Sequence, residues 1–588
     1  MTILESLSSL SYSHLAIGLI AYNVIQPLYG LHVNRKKAIA TGLPYVYTAV
    51  YEWSMVWLLI KEIAWPILKV LRLGWLVQYS RPSWNFDAKN KVHEELGDIF
   101  CVVSPGGLSI FVGDPDVICE VTKKRTKFPR PVKSFVKVMG YFGPSILSSE
   151  HDEWRFHRRV TNKTFTEPNH KVVWYDSLYQ ASAMRDEWLS GLDNHTSNKE
   201  GIIHKMGSDC MKLALHVVTL ASFGVQIPWT SQKEAVPAGY EMSFREASEF
   251  FLEHIAIMAY CPQWLYKYGP KLCQTAGIAA KNMRRHMMEL IQIEDEKLQN
   301  GEDGKNLLSA MLQSDDPEAQ AKGGSAHDTA SVSKMGVRKD FVMGNSAIFL
   351  LAGHETSARS LEYALFLFAM HPEVQEEVFE EIDEILEGVG NIYDLKYEEV
   401  FPKMVKTNGV LYEATRLFPV TPYIPKSTED VVDSWFIYKD RRVDIPPESM
   451  VALNAIGVHY NERYWPEPYK FKPSRWYQTQ KQESLGISPQ DTLQLSGSSA
   501  DAARLYQRGT YLGFGEGPRN CPGKRFAQVE IMATFLALFR EHRMELVKEP
   551  GETYQDAFDR AWAALQRSKM VITLNLFEEI KVKLVPRK

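Results

Sequence analysis

Apolar positions change their spacing several times along the chain, and each change marks an element. Residues 15–33 are an uncharged apolar run, closed by the basic cluster Arg35-Lys36-Lys37, and a second run, Leu43 to Ile60, carries Glu52 as its one charge and is rich in Tyr and Trp. From about residue 80 the pattern turns to that of a soluble domain. Asp98 to Val103 and Leu108 to Val112 flank Ser-Pro-Gly-Gly and read as a β-hairpin, after which Asp114 caps a helix running toward Arg125. Residues 200–310 have helical spacing. Ser314–Met335 is polar and reads as a loop. A long apolar helix follows over Lys339 to Met370, stopped by His371-Pro372, then a charged helix from Glu373 to Leu386. The stretch between Trp476 and Tyr511 is long and polar, and Phe526, Val529, Met532, Ala533 and Leu536 resume helical spacing near the end.

Either N-terminal run is long enough to cross a bilayer, which needs about 20 apolar residues. One span over the first run leaves the basic cluster and the catalytic part on the cytosolic side, with the second run lying in the interface. The expected division is a membrane-anchoring segment at 1–78 (one transmembrane helix plus an interfacial segment) and a catalytic domain at 79–588.

Composition adds limits. Among 588 residues 45% are hydrophobic, ample for a large core, and the net charge of −4 gives no reason to expect a nucleic-acid partner. The six cysteines are scattered without a C-x-x-C pair, which fits a reducing compartment and offers neither a disulfide framework nor a zinc site.

The chemistry concentrates at Tyr511-Leu-Gly-Phe-Gly-Glu-Gly-Pro-Arg-Asn-Cys-Pro-Gly-Lys-Arg-Phe-Ala527. Glycines at 513, 515 and 517 allow tight turns and a close approach to a flat group. Pro522 suits the first position of a helix, so the Cys521 thiol is expected at a helix N-terminus, where thiolate is favoured. Phe514, Gly517, Arg519, Cys521 and Gly523 match the haem-binding signature Phe-x-x-Gly-x-Arg-x-Cys-x-Gly, and in this the chain resembles the cytochrome P450 family. Ala352-Gly353-His-Glu355-Thr356-Ser357 is similar to that family's oxygen-binding helix signature. Glu413-Ala-Thr-Arg416 and Phe471-Lys-Pro-Ser-Arg475 are similar to its Glu-x-x-Arg and Phe-x-Pro-x-Arg segments, with Ser474 where the family often has Glu.

The resemblance implies a mainly α fold with small β-sheets, the cytochrome P450 fold, over about residues 80–580. It implies heme b as cofactor, with Cys521 as the axial iron ligand and Phe514, Gly515 and Arg519 in the cofactor loop. Trp154 and Arg158, four apart on one helix face, take the family's propionate-holding role. Gly353, Glu355 and Thr356 are the catalytic candidates: Gly353 leaves room for dioxygen, the Thr356 hydroxyl donates to it, and the Glu355 carboxylate relays protons. Asn345, Phe349 and Ala352 share the Thr356 face as pocket-wall candidates, and Val420 to Tyr423 is similar in position to a substrate-lining segment. Glu413, Arg416 and Arg475 form a structural network. The implied activity is haem-thiolate monooxygenation of a lipophilic substrate by O2. Its electrons come from NADPH through NADPH-cytochrome P450 reductase, at the endoplasmic reticulum membrane with the catalytic domain cytosolic. The style of the sequence is similar to fungal microsomal members, many of which act in secondary metabolism on terpenoids or polyketides. The alternatives are a haem-thiolate isomerase or dehydratase, against which Glu355-Thr356 argues, and a non-enzymatic membrane haem-binding protein.

Overall fold

The alternation at 98–112 does produce a hairpin, and a sheet grows from it. The computed structural model describes residues 12–587 except 53, 82, 134–135, 137–139, 191–200, 230–234, 255–256, 258–260, 303, 305, 314–333, 478–506 and 571–572. The expected loop at Ser314–Met335 and most of the polar insertion after Trp476 therefore lie outside the described residues. Helix α1 spans Tyr12–Thr41, strand β1 Tyr45–Tyr47 and helix α2 Met55–Val70. Strands β2 (Ile99–Ser104) and β3 (Gly107–Val112) pair antiparallel. Asp114 Oδ1 accepts the Val117 N–H at 2.9 Å and caps α3, Pro115–Lys123.

Then come α4 (His151–Asn162), α5 (Glu167–Ser190), α6 (Met206–Phe223), α7 (Lys271–Gln299), α8 (Lys334–Met370) and α9 (Val405–Leu417). Strands β4 (Tyr423–Ser427) and β5 (Ser449–Asn454) complete a five-stranded sheet of order β1-β2-β3-β5-β4. Both β1–β2 and β3–β5 are parallel, so distant segments meet there. Helix α10 (Lys524–Phe539) is buried nearly all round, and the short hairpin β6 (Lys569–Met570) and β7 (Leu574–Asn575) follows it. A helix apolar on every side belongs at the centre of a large core; α10 packs there against α5 and α8.

The N-terminus departs from expectation. Among the described residues no helix is long and apolar enough to cross a membrane. The second run does not form one element. Its first part becomes β1, paired with β2, and α2 has 16 residues, with Lys61, Glu62 and Pro66 within it. The C-terminal part of α1 lies on the sheet: Ala38 is fully buried and Asn34 Nδ2 donates to the Ser104 carbonyl at 2.8 Å. Residues 34–47 thus pack on or pair with the sheet formed by later strands.

The Glu-x-x-Arg network forms as expected. Glu413 accepts two bonds from Arg416, at 2.9 Å each, and others from Arg475 Nε and Trp476 Nε1, also at 2.9 Å. Burial pushes the Glu413 carboxyl up, but Arg416, Arg475 and Trp476 outweigh it and hold it below the ordinary carboxylate value.

Candidate functional site

A cavity of about 1950 Å³ runs from the Cys521 loop, along α8, to Trp65 and Arg81 beside α2. The loop takes its shape from glycine. Gly515 and Gly517 have φ of +76° and +73°, values that other residues rarely adopt. The resulting fold-back lets the Cys521 N–H donate to the Phe514 carbonyl at 2.8 Å. Phe514, Gly515 and Cys521 all face the cavity. Helix α10 begins at Lys524 rather than at Pro522, so Cys521 precedes it by a Pro-Gly turn. Cys521 is exposed and lines this cavity, with protein packed closely round its thiol. Burial pushes its thiol up, against the Gly523 N–H, Arg158, Arg130 and Lys524. The expectation that the helix end favours thiolate is therefore outweighed by desolvation. A cationic metal at the sulfur supplies what the helix end does not.

Beside the thiol stands a cage of cations. Arg519 Nη2 donates to Glu150 Oε2 at 2.6 Å and to the Ser149 carbonyl at 3.0 Å, while its Nε and Nη1 are buried without a partner among the described residues. Arg130 Nη2 donates to the Arg519 carbonyl at 3.2 Å, and the Arg130 N–H donates to Glu150 Oε1 at 2.7 Å. Trp154 is buried between two guanidinium groups, Arg519 at 4.4 Å and Arg125 at 4.7 Å from its ring. Arg158 bonds Asn520, Nη2 to Oδ1 at 3.0 Å, and so braces the residue before the thiol. Lys426, on β4, is 3% exposed. Burial, then Arg130 and Arg519, push its ammonium down to about 7, and burial pushes Arg519 down to about 9.

Arg130, Arg519 and Lys426 thus face the Glu150 carboxylate, and Arg125 and Arg158 stand close to Arg519. Such a cluster calls for further anions. A flat, doubly carboxylated porphyrin with a metal for the thiol has the chemistry these residues lack, so they fit haem. Sequence reading found Trp154, Arg158 and Arg519 but missed Arg130, Glu150 and Lys426. For Arg130 the setting Pro129-Arg-Pro131 was the available signal; for Lys426 there was none.

Across the cavity α8 presents Phe349, Ala352, Gly353, Glu355 and Thr356. Thr356 Oγ1 donates to the Ala352 carbonyl at 2.5 Å, so its proton is held inside the helix. A Cβ on Gly353 would meet Val218 Cγ2 of α6 at 3.0 Å. That glycine lines the cavity and also lets α8 pack on α6, and Ala352 beside it is the more exposed of the two. Asn345 does not join the wall. Its Oδ1 accepts the Ile146 N–H at 3.0 Å and it pairs with His157 Nδ1 at 2.9 Å. Val420, Thr421 and Tyr423 do line the cavity, with Met570 of β6 and Thr573 next to β7. Thr573 Oγ1 donates to Glu355 Oε1, a contact that no sequence motif announced.

The family model described as Cytochrome P450 matches residues 66–570. The chain is 94% identical, over the full length of both, to a cytochrome P450 monooxygenase of Arthrobotrys oligospora. It is 23% identical over 560 residues to the "Phomenoic acid biosynthesis cluster cytochrome P450 monooxygenase" of Leptosphaeria maculans, covering 88% of this chain and 90% of that one. The crystal structure of the cytochrome P450DA heme domain superposes with a TM-score of 0.62 at 19% identity, covering 85% of this chain and 92% of that one.

Proposed function

The chain belongs to the cytochrome P450 family and is a haem-thiolate monooxygenase, and we propose that it oxidises a lipophilic secondary metabolite at a membrane surface with electrons from NADPH-cytochrome P450 reductase. The observation that carries this reading is the shape of the cavity. Its lining extends from Cys521, through Ala352 and Thr356 of α8, to Lys61 and Trp65 of α2. On the opposite face of α2 Ile63, Ile67 and Val70 are 71%, 53% and 82% exposed. An exposed apolar helix face of this kind suits a bilayer surface, and the cavity reaches the other side of the same helix, close to any lipophilic molecule held in that surface. The endoplasmic reticulum is the membrane this reading implies. Two further points support it: the relative named for a biosynthetic cluster, and a described fold that the haem-domain architecture accounts for.

In this reading Cys521 Sγ holds the iron, while Arg130, Arg158, Arg519 and Lys426 hold the propionates. Haem, when bound, supplies the redox chemistry that activates dioxygen. The protein does the rest. Val420, Tyr423, Phe349 and Met570 give the substrate an apolar wall and exclude water. Ala352 leaves space along α8. The Thr356 hydroxyl exchanges its bond to the Ala352 carbonyl for one toward the cavity, and Glu355, next in the chain, passes protons to it. An intact Glu355–Thr356 pair favours oxygenation over haem-thiolate isomerisation or dehydration.

The test is reconstitution of the full-length protein with NADPH-cytochrome P450 reductase in lipid vesicles under ¹⁸O₂, offering terpenoid, polyketide and fatty-acid panels. One ¹⁸O atom in a product, dependent on NADPH and reductase, is expected. Turnover restricted to water-soluble compounds, or independence from that reductase, would count against the proposal.

A further inference from the structure

The Glu355 carboxylate is bound by a side chain 218 positions away, the Thr573 hydroxyl, and the direction of that bond is determined by a third residue. Asn575 Nδ2 donates to Thr573 Oγ1 at 3.1 Å and to the Thr573 carbonyl at 2.9 Å. With an amide N–H entering the oxygen, the one hydroxyl proton of Thr573 is directed at Glu355. Thr573 and Asn575 are both buried, 5% and 7% exposed, so neither bond is a surface accident. The nearby cation Arg359, one helical turn beyond Glu355, donates its hydrogen bond to Glu362 at 2.7 Å and acts on Glu355 only through space.

We propose that Thr573 is a positioning residue for Glu355, oriented in turn by Asn575, and that it ties the proton-carrying carboxylate to the hairpin that touches substrate. The proposal rests on reading Glu355 as the proton carrier. Thr573 and Met570 line the cavity together with Glu355 and Thr356, and Met570 pairs with Leu574 across the hairpin. A substrate pressing on Met570 therefore moves the group that fixes the carboxylate. A hydrogen bond from a neutral hydroxyl to a charged acceptor is strong enough to set one side-chain position over its alternatives by about tenfold or more. Oxygenation then depends on a residue that touches neither iron nor oxygen.

The measurement is isotope-edited infrared spectroscopy of the full-length, haem-loaded protein. The band lost in Glu355→Gln identifies the Glu355 carboxylate. In Thr573→Val, a near-isosteric change, that band is expected to shift, and in Thr573→Ser to return. NADPH consumption with reductase and no organic substrate is measured alongside. A fall of about tenfold is expected in both Glu355→Gln and Thr573→Val, with no further fall in the double variant. The reduced carbon-monoxide spectrum, unchanged in all of them, shows that the haem site is intact. An unmoved carboxylate band in Thr573→Val overturns the positioning role and leaves the relay standing. Additive losses in the double variant overturn it as well, because Thr573 would then act elsewhere. Unchanged consumption in Glu355→Gln overturns the relay reading, and the proposal with it.

Discussion

Cys521 shows how one side chain depends on its surroundings for its chemical state. Burial raises its proton affinity, while Arg158, Arg130 and Lys524 act the other way. Without a metal the site therefore favours the thiol over a free thiolate nucleophile. Cys521→Ala is expected to abolish the red-shifted Soret band of the reduced, carbon-monoxide-bound protein. A retained band would show that another atom ligates the iron. Arg519 makes the complementary point. Its two nitrogens without a partner among the described residues, and its lowered proton affinity, mark a cation awaiting an anion. The signature around Cys521 points to Arg519, whereas Lys426, adjacent in space, has no local sequence mark.

At the scale of elements, the Glu413 network joins α9 to the segment Lys472–Trp476. Glu413 and Arg416 are both fully buried. Glu413→Gln leaves Arg416 and Arg475 without their counter-charge, at an expected cost of about 3–5 kcal/mol. That is a large share of a typical stability of about 5–15 kcal/mol. Thermal melts should show a marked drop in Tm and poor haem retention. Arg442→Ala, which removes exposed ion pairs with Asp444 and Asp433 and a stacking contact on Trp435, should lower Tm far less. The motif was readable from residue types alone because its first two members are one helical turn apart. Asn345 shows the limit of that logic: it shares a helix face with Thr356, yet His157 and Ile146 draw its amide away from the cavity.

For the whole molecule, attachment to a membrane and response to pH are the properties at issue. Exposed Ile63, Ile67 and Val70 form an apolar face on α2, the helix whose Lys61 and Trp65 line the cavity. Replacing Ile63 and Val70 by Asp should weaken co-flotation of the full-length protein with lipid vesicles; undiminished flotation would assign attachment to another segment. Glu530, fully buried on α10, has its carboxyl pushed up to about 8 by burial, with Ser357 opposing and Asp176 adding to the rise. A carboxyl raised in the folded state contributes stability below its unfolded value of 4.5 and loses it as pH rises toward 8. Glu530→Gln removes the charge that must be buried. The Tm of the variant minus that of wild type should therefore increase between pH 5 and pH 8, and a flat difference would contradict the shift.

Haem loop, oxygen-side helix, ion network and helix-rich fold were all readable in the chain, because each motif is a cluster of residues within a few positions of one another. Local spacing controls turns, helix faces and caps, and these survive any change of distant context. The cation cage, the bond from Thr573 to Glu355, and the place of β1 in the sheet were not readable. The first two join residues 389 and 218 positions apart, and the third sets Tyr45 beside Cys101. Contacts of that kind arise when helices and strands pack, and packing depends on the summed shape of many side chains rather than on any one stretch.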